Sequence, residues 1–192
     1  MAHQDESLRK TTKSTLCSIL EKNVTVLPRL PVSTSDTVYI IDGMAPVQKM
    51  KSGGAQMFGE LSLKYYNVIT LPLSYLNCHE VHVVFDQYWE NSIKNNECSR
   101  RGASTALEVK ISSSATPIPK QWDKYISNCK NNTNLCEFVS TLFYQEGQEK
   151  LPENKKIVVA GGFKDGERAV SISRGTSTDI PGLQSNHEEV DT

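Results

Sequence analysis

Apolar residues gather in three short continuous runs, and helix-period patterns lie between them. TVYIIDGM (37–44) is rich in β-branched and aromatic residues and closes on Asp42-Gly43, the pattern of a strand. VHVVFD (81–86) repeats the pattern and closes on Asp86, and KIVVAGGF (156–163) repeats it again and ends on glycines. Gly53-Gly54 breaks the chain before AQMFGELSLKYYNVI (55–69), whose apolar spacing suits a helix. QWDKYISNCKNN and NLCEFVSTLFYQEG predict two more helices, with Asn134 as N-cap of the second. TALEVKI (105–111) and AVSIS (169–173) are strand candidates, SSSATPIP (112–119) is a loop, and KLPENKK is a polar turn.

Upstream, ESLRKTTKSTLCSILEK (6–22) places Leu8, Leu16, Ile19 and Leu20 in a thin helical stripe, and a proline-rich connector runs from Leu27 to Pro31. The chain contains no internal repeat. Strands near 38, 82 and 157 alternating with helices give the α/β order. That order predicts a mainly parallel sheet with helices on both faces. Two parts are expected: an N-terminal helix and linker over 1–36, and an α/β domain over 37–192. The alternation is cut short at Thr192, so the domain is expected to continue in a longer protein.

Composition narrows the class. The 192 residues, 38% hydrophobic and 22% charged, suffice for one soluble domain with a full core. A formal net charge of −1 gives the whole chain no pull toward nucleic acid or membrane, so any charge signal is local. No apolar run approaches the ~20 residues of a membrane span. MAHQDESLRKTTKSTL lacks the apolar core of a signal peptide, and an intracellular location, nuclear or cytoplasmic, is expected. The five cysteines are odd in number and form no CxxC pair, which argues against a disulfide framework or a zinc site. Cys78-His79 with His82 reads as packing or surface residues, and the sequons at Asn23 and Asn131 read as chance matches.

Chemistry concentrates where strands end. In open parallel sheets, sites form at the carboxyl ends of the strands, and two of the three best strands end on Asp42 and Asp86. A third acidic site is SNHEEVDT, with Glu188, Glu189 and Asp191, on a helix that Ser185 or Asn186 would cap. Carboxylates gathered together repel one another unless a cation joins them. Mg²⁺ and Mn²⁺ are the hard ions that take such oxygen donors. Two such ions activate a water and stabilise the leaving oxygen of a phosphodiester. Lys94, Arg100 and Arg101 would then meet the phosphate whose charge grows in the transition state. Taken singly, each element also has a plain role: a helix cap, an acidic first turn, or a solvated basic face.

In their joint order, IIDGMA (Asp42), VVFDQYWENSIKNNECSRRG (Asp86, Lys94, Arg100, Arg101) and HEEVDT (Glu188, Glu189, Asp191) resemble the PIN-like nuclease superfamily. The flap endonuclease group is the nearest in pattern. It carries V-D-A or V-D-G, then V-F-D-G with a lysine and spaced arginines, then an E-A-E-A-like helix start. AQMFGELSLKYY sits where that group has a glycine-containing helix. A similar SNHEEADT block also occurs in uncharacterised eukaryotic proteins. The resemblance covers about residues 37–111 and, in outline, 156–192. It implies a Rossmann-like sheet, two Mg²⁺ or Mn²⁺ ions in the complete protein, and hydrolysis of DNA or RNA. Gln87 replaces the glycine after VFD, the stretch from Asp86 to Glu189 is long, and the group's later aspartates would lie beyond Thr192.

The leading expectation is therefore a metal-dependent nuclease domain, incomplete in this span. The alternative is a non-catalytic PIN-like module that binds protein or nucleic acid. Other phosphate chemistries lack their marks. Asp42-Gly43-Met44 has no second aspartate two residues on, and there is no GxxxxGK[ST], GxGxxG or GxSxG.

Overall fold

The computed structural model describes Ile19, Lys22 and residues 37–50, 54–86 and 107–184. Contacts separate residues 1–33 from 34–192, and the second unit is described here. The helix expected over 6–22 lies outside the described residues, apart from helical Ile19 and Lys22 in a turn.

Strand β1 (Thr37–Asp42) is followed by helix α1 (Met44–Met50) and helix α2 (Phe58–Thr70). A 3₁₀ turn (Leu71–Ser74) leads into β2 (Cys78–Val84). Helix α3 (Trp122–Ile126) and the long α4 (Cys129–Lys150) precede β3 (Lys156–Ala160). The chain then forms the hairpin strands β4 (Ala169–Ser173) and β5 (Thr176–Asp179) and a 3₁₀ turn (Pro181–Leu183).

The five strands lie in sequence order, β1-β2-β3-β4-β5. β1, β2 and β3 are parallel, and β4 and β5 are antiparallel. The α/β class thus holds, but parallel pairing is confined to the first half of the sheet. A doubly wound sheet reverses its order at a switch point. Here β1 to β3 advance in one direction. Two right-handed crossovers advancing the same way fall on one face of a sheet.

The core agrees with that placement. Val81 and Val83 of β2, Ile157 and Val159 of β3, and Val170 and Ile172 of β4 share one face by alternation. They pack with Leu61 and Tyr65 of α2 and Leu135, Val139 and Phe143 of α4. The second helical layer expected on the other face is not among the described residues. Ile40, which points to that face, is 74% exposed, and Val38 beside it is also exposed. β1 is an edge strand among the described residues, so its apolar run is covered on one side only.

Two local expectations also change. TALEVKI forms no strand over its described residues, 107–111. Asparagine side chains take its backbone groups instead. Asn131 Oδ1 accepts Val109 N–H (3.0 Å), Asn134 Oδ1 accepts Ile111 N–H (2.7 Å), and Asn131 Nδ2 donates to Leu107 O (2.6 Å). Asn134 is therefore interior to α4 and not its cap. The cap is Asn128, whose side chain accepts the Lys130 N–H, and the helix runs unbroken for 22 residues. Asn131, the asparagine of one sequon, is 1% exposed and so closed to glycosylation in the folded state.

The cysteines depart from expectation in one respect. Cys129 is disulfide-bonded, while Cys78 and Cys136 are free and buried.

Candidate metal and phosphate site

β1 and β2 end side by side. Asp42 pairs with Val84, so in register it stands two residues short of Asp86 and on the same face. For strands this offset corresponds to about 8 Å between α-carbons. Asp42 is exposed and Asp86 half-buried. Asp42 Oδ1 accepts the Met44 N–H at 2.8 Å and so caps the first turn of α1.

Phe85 holds the strand ends together. Its N–H donates to Ala160 O of β3 (2.9 Å), and Gly43 N–H donates to Val84 O (2.7 Å). The Phe85 ring lies between two glycines. A β-carbon on Gly43 would stand 2.5 Å from ring Cε1, and one on Gly162 would stand 2.7 Å from Cδ2 and 2.6 Å from Ser140 Oγ. Gly162 also has φ +71°, where a side chain is strained. Behind β1, the Tyr65 hydroxyl donates to Gly43 O at 2.5 Å. Burial, with Cys136 and Asp42 adding, pushes the Tyr65 phenol well above its ordinary range.

Cys136 of α4 marks the electrostatics of this corner. Burial pushes its thiol up, and the carboxylates of Asp86, Glu137 and Asp42 push it further. These three acids therefore act on one sulfur, which contacts Met44 Sδ at 3.5 Å. Glu137, half-buried on α4, was not among the residues singled out by sequence. A single glutamate in a helix carries no pattern that sequence could report.

Of the predicted site residues, Asp42 and Asp86 come together. Lys94, Arg100, Arg101, Glu188, Glu189 and Asp191 lie outside the described residues. Among the described residues no group of three or more histidine, cysteine, aspartate or glutamate side chains is placed to hold a metal ion. Cys78, His79 and His82 form no such group either. His82 Nε2 instead meets Glu80 Oε1 at 2.6 Å. No described helix is long and apolar enough to cross a membrane. No protein-family model, curated protein or solved structure matches the chain.

Proposed function

We propose that the chain carries part of a metal-dependent nuclease site hydrolysing phosphodiesters of DNA or RNA. The observation that supports this is the convergence of Asp42 and Asp86 at the carboxyl ends of adjacent parallel strands. Their donors are hard carboxylate oxygens, the type that Mg²⁺ or Mn²⁺ takes. As a pair they fit part of an ion's shell, and Glu188, Glu189 and Asp191 are the proposed remainder. When bound, such ions activate water and stabilise a leaving oxygen. Asp86 is half-buried just past the end of β2. Lys94, Arg100 and Arg101 are proposed to neutralise the phosphate.

One observation favours a second reading, a non-catalytic module of the same fold. Asp42 already has work as a helix cap, which requires no metal. Calorimetric titration of Mg²⁺ and Mn²⁺ separates the two. The nuclease reading expects saturable binding that is lost in Asp86→Ala. It also expects loss in Asp42→Ser, because serine keeps the cap but removes the carboxylate. Binding that survives both substitutions, or the absence of saturable binding to the wild-type chain, refutes it in favour of the second reading. Cleavage of labelled DNA and RNA by the chain is the following step.

A further inference from the structure

The opposite end of the sheet, where β2 and β3 begin, holds a cavity of about 550 Å³. His79, Lys155, Lys156, Ser173 and Arg174 line it, with Glu153 as the acid. Three permanent cations against one carboxylate is a local excess in a chain whose net charge is −1.

The cavity is framed by backbone. Lys155 Nζ donates to Cys78 O (2.6 Å) and Tyr75 O (3.4 Å), which ties the α4–β3 turn to the start of β2. Carbonyl oxygens hold that ammonium without cancelling its charge. Lys156 Nζ meets Glu80 Oε2 at 2.9 Å across the strand pair, and the same carboxylate accepts from His82. Glu80 is thus shared between two donors. Arg174 stands exposed in the turn between β4 and β5, where Gly175 takes φ +73°. Asn154, at φ 62°, turns the chain just before the two lysines. Among the described residues the lining contains no phenylalanine, tyrosine or tryptophan. What it offers is charge and hydrogen-bond donors, the requirements of a phosphate. Its volume falls within the range of small-ligand sites.

We infer that this cavity binds a phosphate-bearing anion, either free or as the backbone of a nucleic acid. His79 and Asp86 stand seven positions apart along β2 and its extension, about 23 Å. The inference therefore stands apart from the proposed metal site and does not depend on it.

The test is titration of the full chain, in EDTA, with inorganic pyrophosphate and separately with a short oligothymidylate, followed by calorimetry. Wild type is expected to bind at least one probe saturably. Arg174→Glu is expected to weaken that binding at least tenfold. Arg174 is exposed in a turn, and an unchanged thermal midpoint in Arg174→Glu verifies that folding is intact. Oligothymidylate binding that pyrophosphate competes away identifies backbone phosphate, and binding of pyrophosphate alone identifies a free anion. Absence of saturable binding by either probe, or equal affinity in Arg174→Glu, overturns the inference.

Discussion

Gly43→Ala tests whether the Phe85 ring sets the spacing of the strand ends. The added methyl would stand 2.5 Å from ring Cε1 and 2.8 Å from Cγ. Gly43 is not at positive φ, so the cost is one of packing alone. The ring has little room to yield. It is 1% exposed, and Gly162 closes its other side with a β-carbon position 2.7 Å from Cδ2. Overpacking of this kind costs about 1–3 kcal/mol. With a urea slope of about 2 kcal/mol per molar, a loss of about 2 kcal/mol moves the unfolding midpoint down by about 1 M. Phe85→Leu removes ring atoms and opens the space. In the double variant the methyl then fits, and the two costs should fall short of additivity by about 1–3 kcal/mol. Urea unfolding of the four proteins measures this coupling. Additivity within about 0.5 kcal/mol would refute the packing argument.

Asn131→Ala removes side-chain hydrogen bonds of 3.0 Å to Val109 N–H, 2.6 Å to Leu107 O and 2.8 Å to Tyr125 O. At about 1 kcal/mol each, the expected loss is about 3 kcal/mol by urea unfolding, with faster proteolysis near 107–111. Burial pushes the Glu80 carboxyl up, but hydrogen bonds from Lys156 and His82 outweigh it and leave it below its ordinary 4.5. Its stabilisation is therefore complete above the unfolded value and is lost as pH falls through the lower folded one. The stability gap between wild type and Glu80→Gln should close on acidification below about pH 4.5, and a gap constant down to pH 2 would contradict this. Cys136 is buried, and its thiol is held protonated by burial and by Asp86, Glu137 and Asp42. At pH 8 an alkylating reagent followed by peptide mass spectrometry should find it unlabelled in the native protein and labelled in urea. Equal rates in both states would refute that placement.

The strands that could be read from sequence are those with continuous apolar runs: β1, β2, β3 and the shorter β4. β5, TSTD, is wholly polar, and its described pairing is to β4 across the Arg174-Gly175 turn. Its strand character comes from the hairpin and not from its own residues. α1 was hidden because TVYIIDGM reads as one run, yet the Asp42 carboxylate ends the strand by capping Met44. The available signal was an aspartate at a cap position with Pro46 in the first turn that follows. TALEVKI failed for a non-local reason. Its backbone groups pair with Asn131 and Asn134, more than twenty residues away, and no period within the segment reports such partners.

Legibility of the site follows the same division. Asp42 and Asp86 could be paired from sequence because parallel neighbours must end at the same edge, whatever the rest of the sheet does. The sheet's direction was not legible, because apolar runs do not encode strand order. That order matters for chemistry. Without a reversal between β1 and β3, no crevice opens from topology alone, and the strand-end corner depends on side chains. Phe85 fills it, Gly43 and Gly162 make room for the ring, and Glu137 of α4 acts with both aspartates to raise the Cys136 thiol. Burial and these three carboxylates raise the free energy of the Cys136 thiolate. Capping relieves one of them, since Asp42 Oδ1 accepts a backbone N–H at the positive end of α1. Replacing Asp42 therefore disturbs the start of α1 as well as the proposed site, which makes Asp86 the more informative residue to replace.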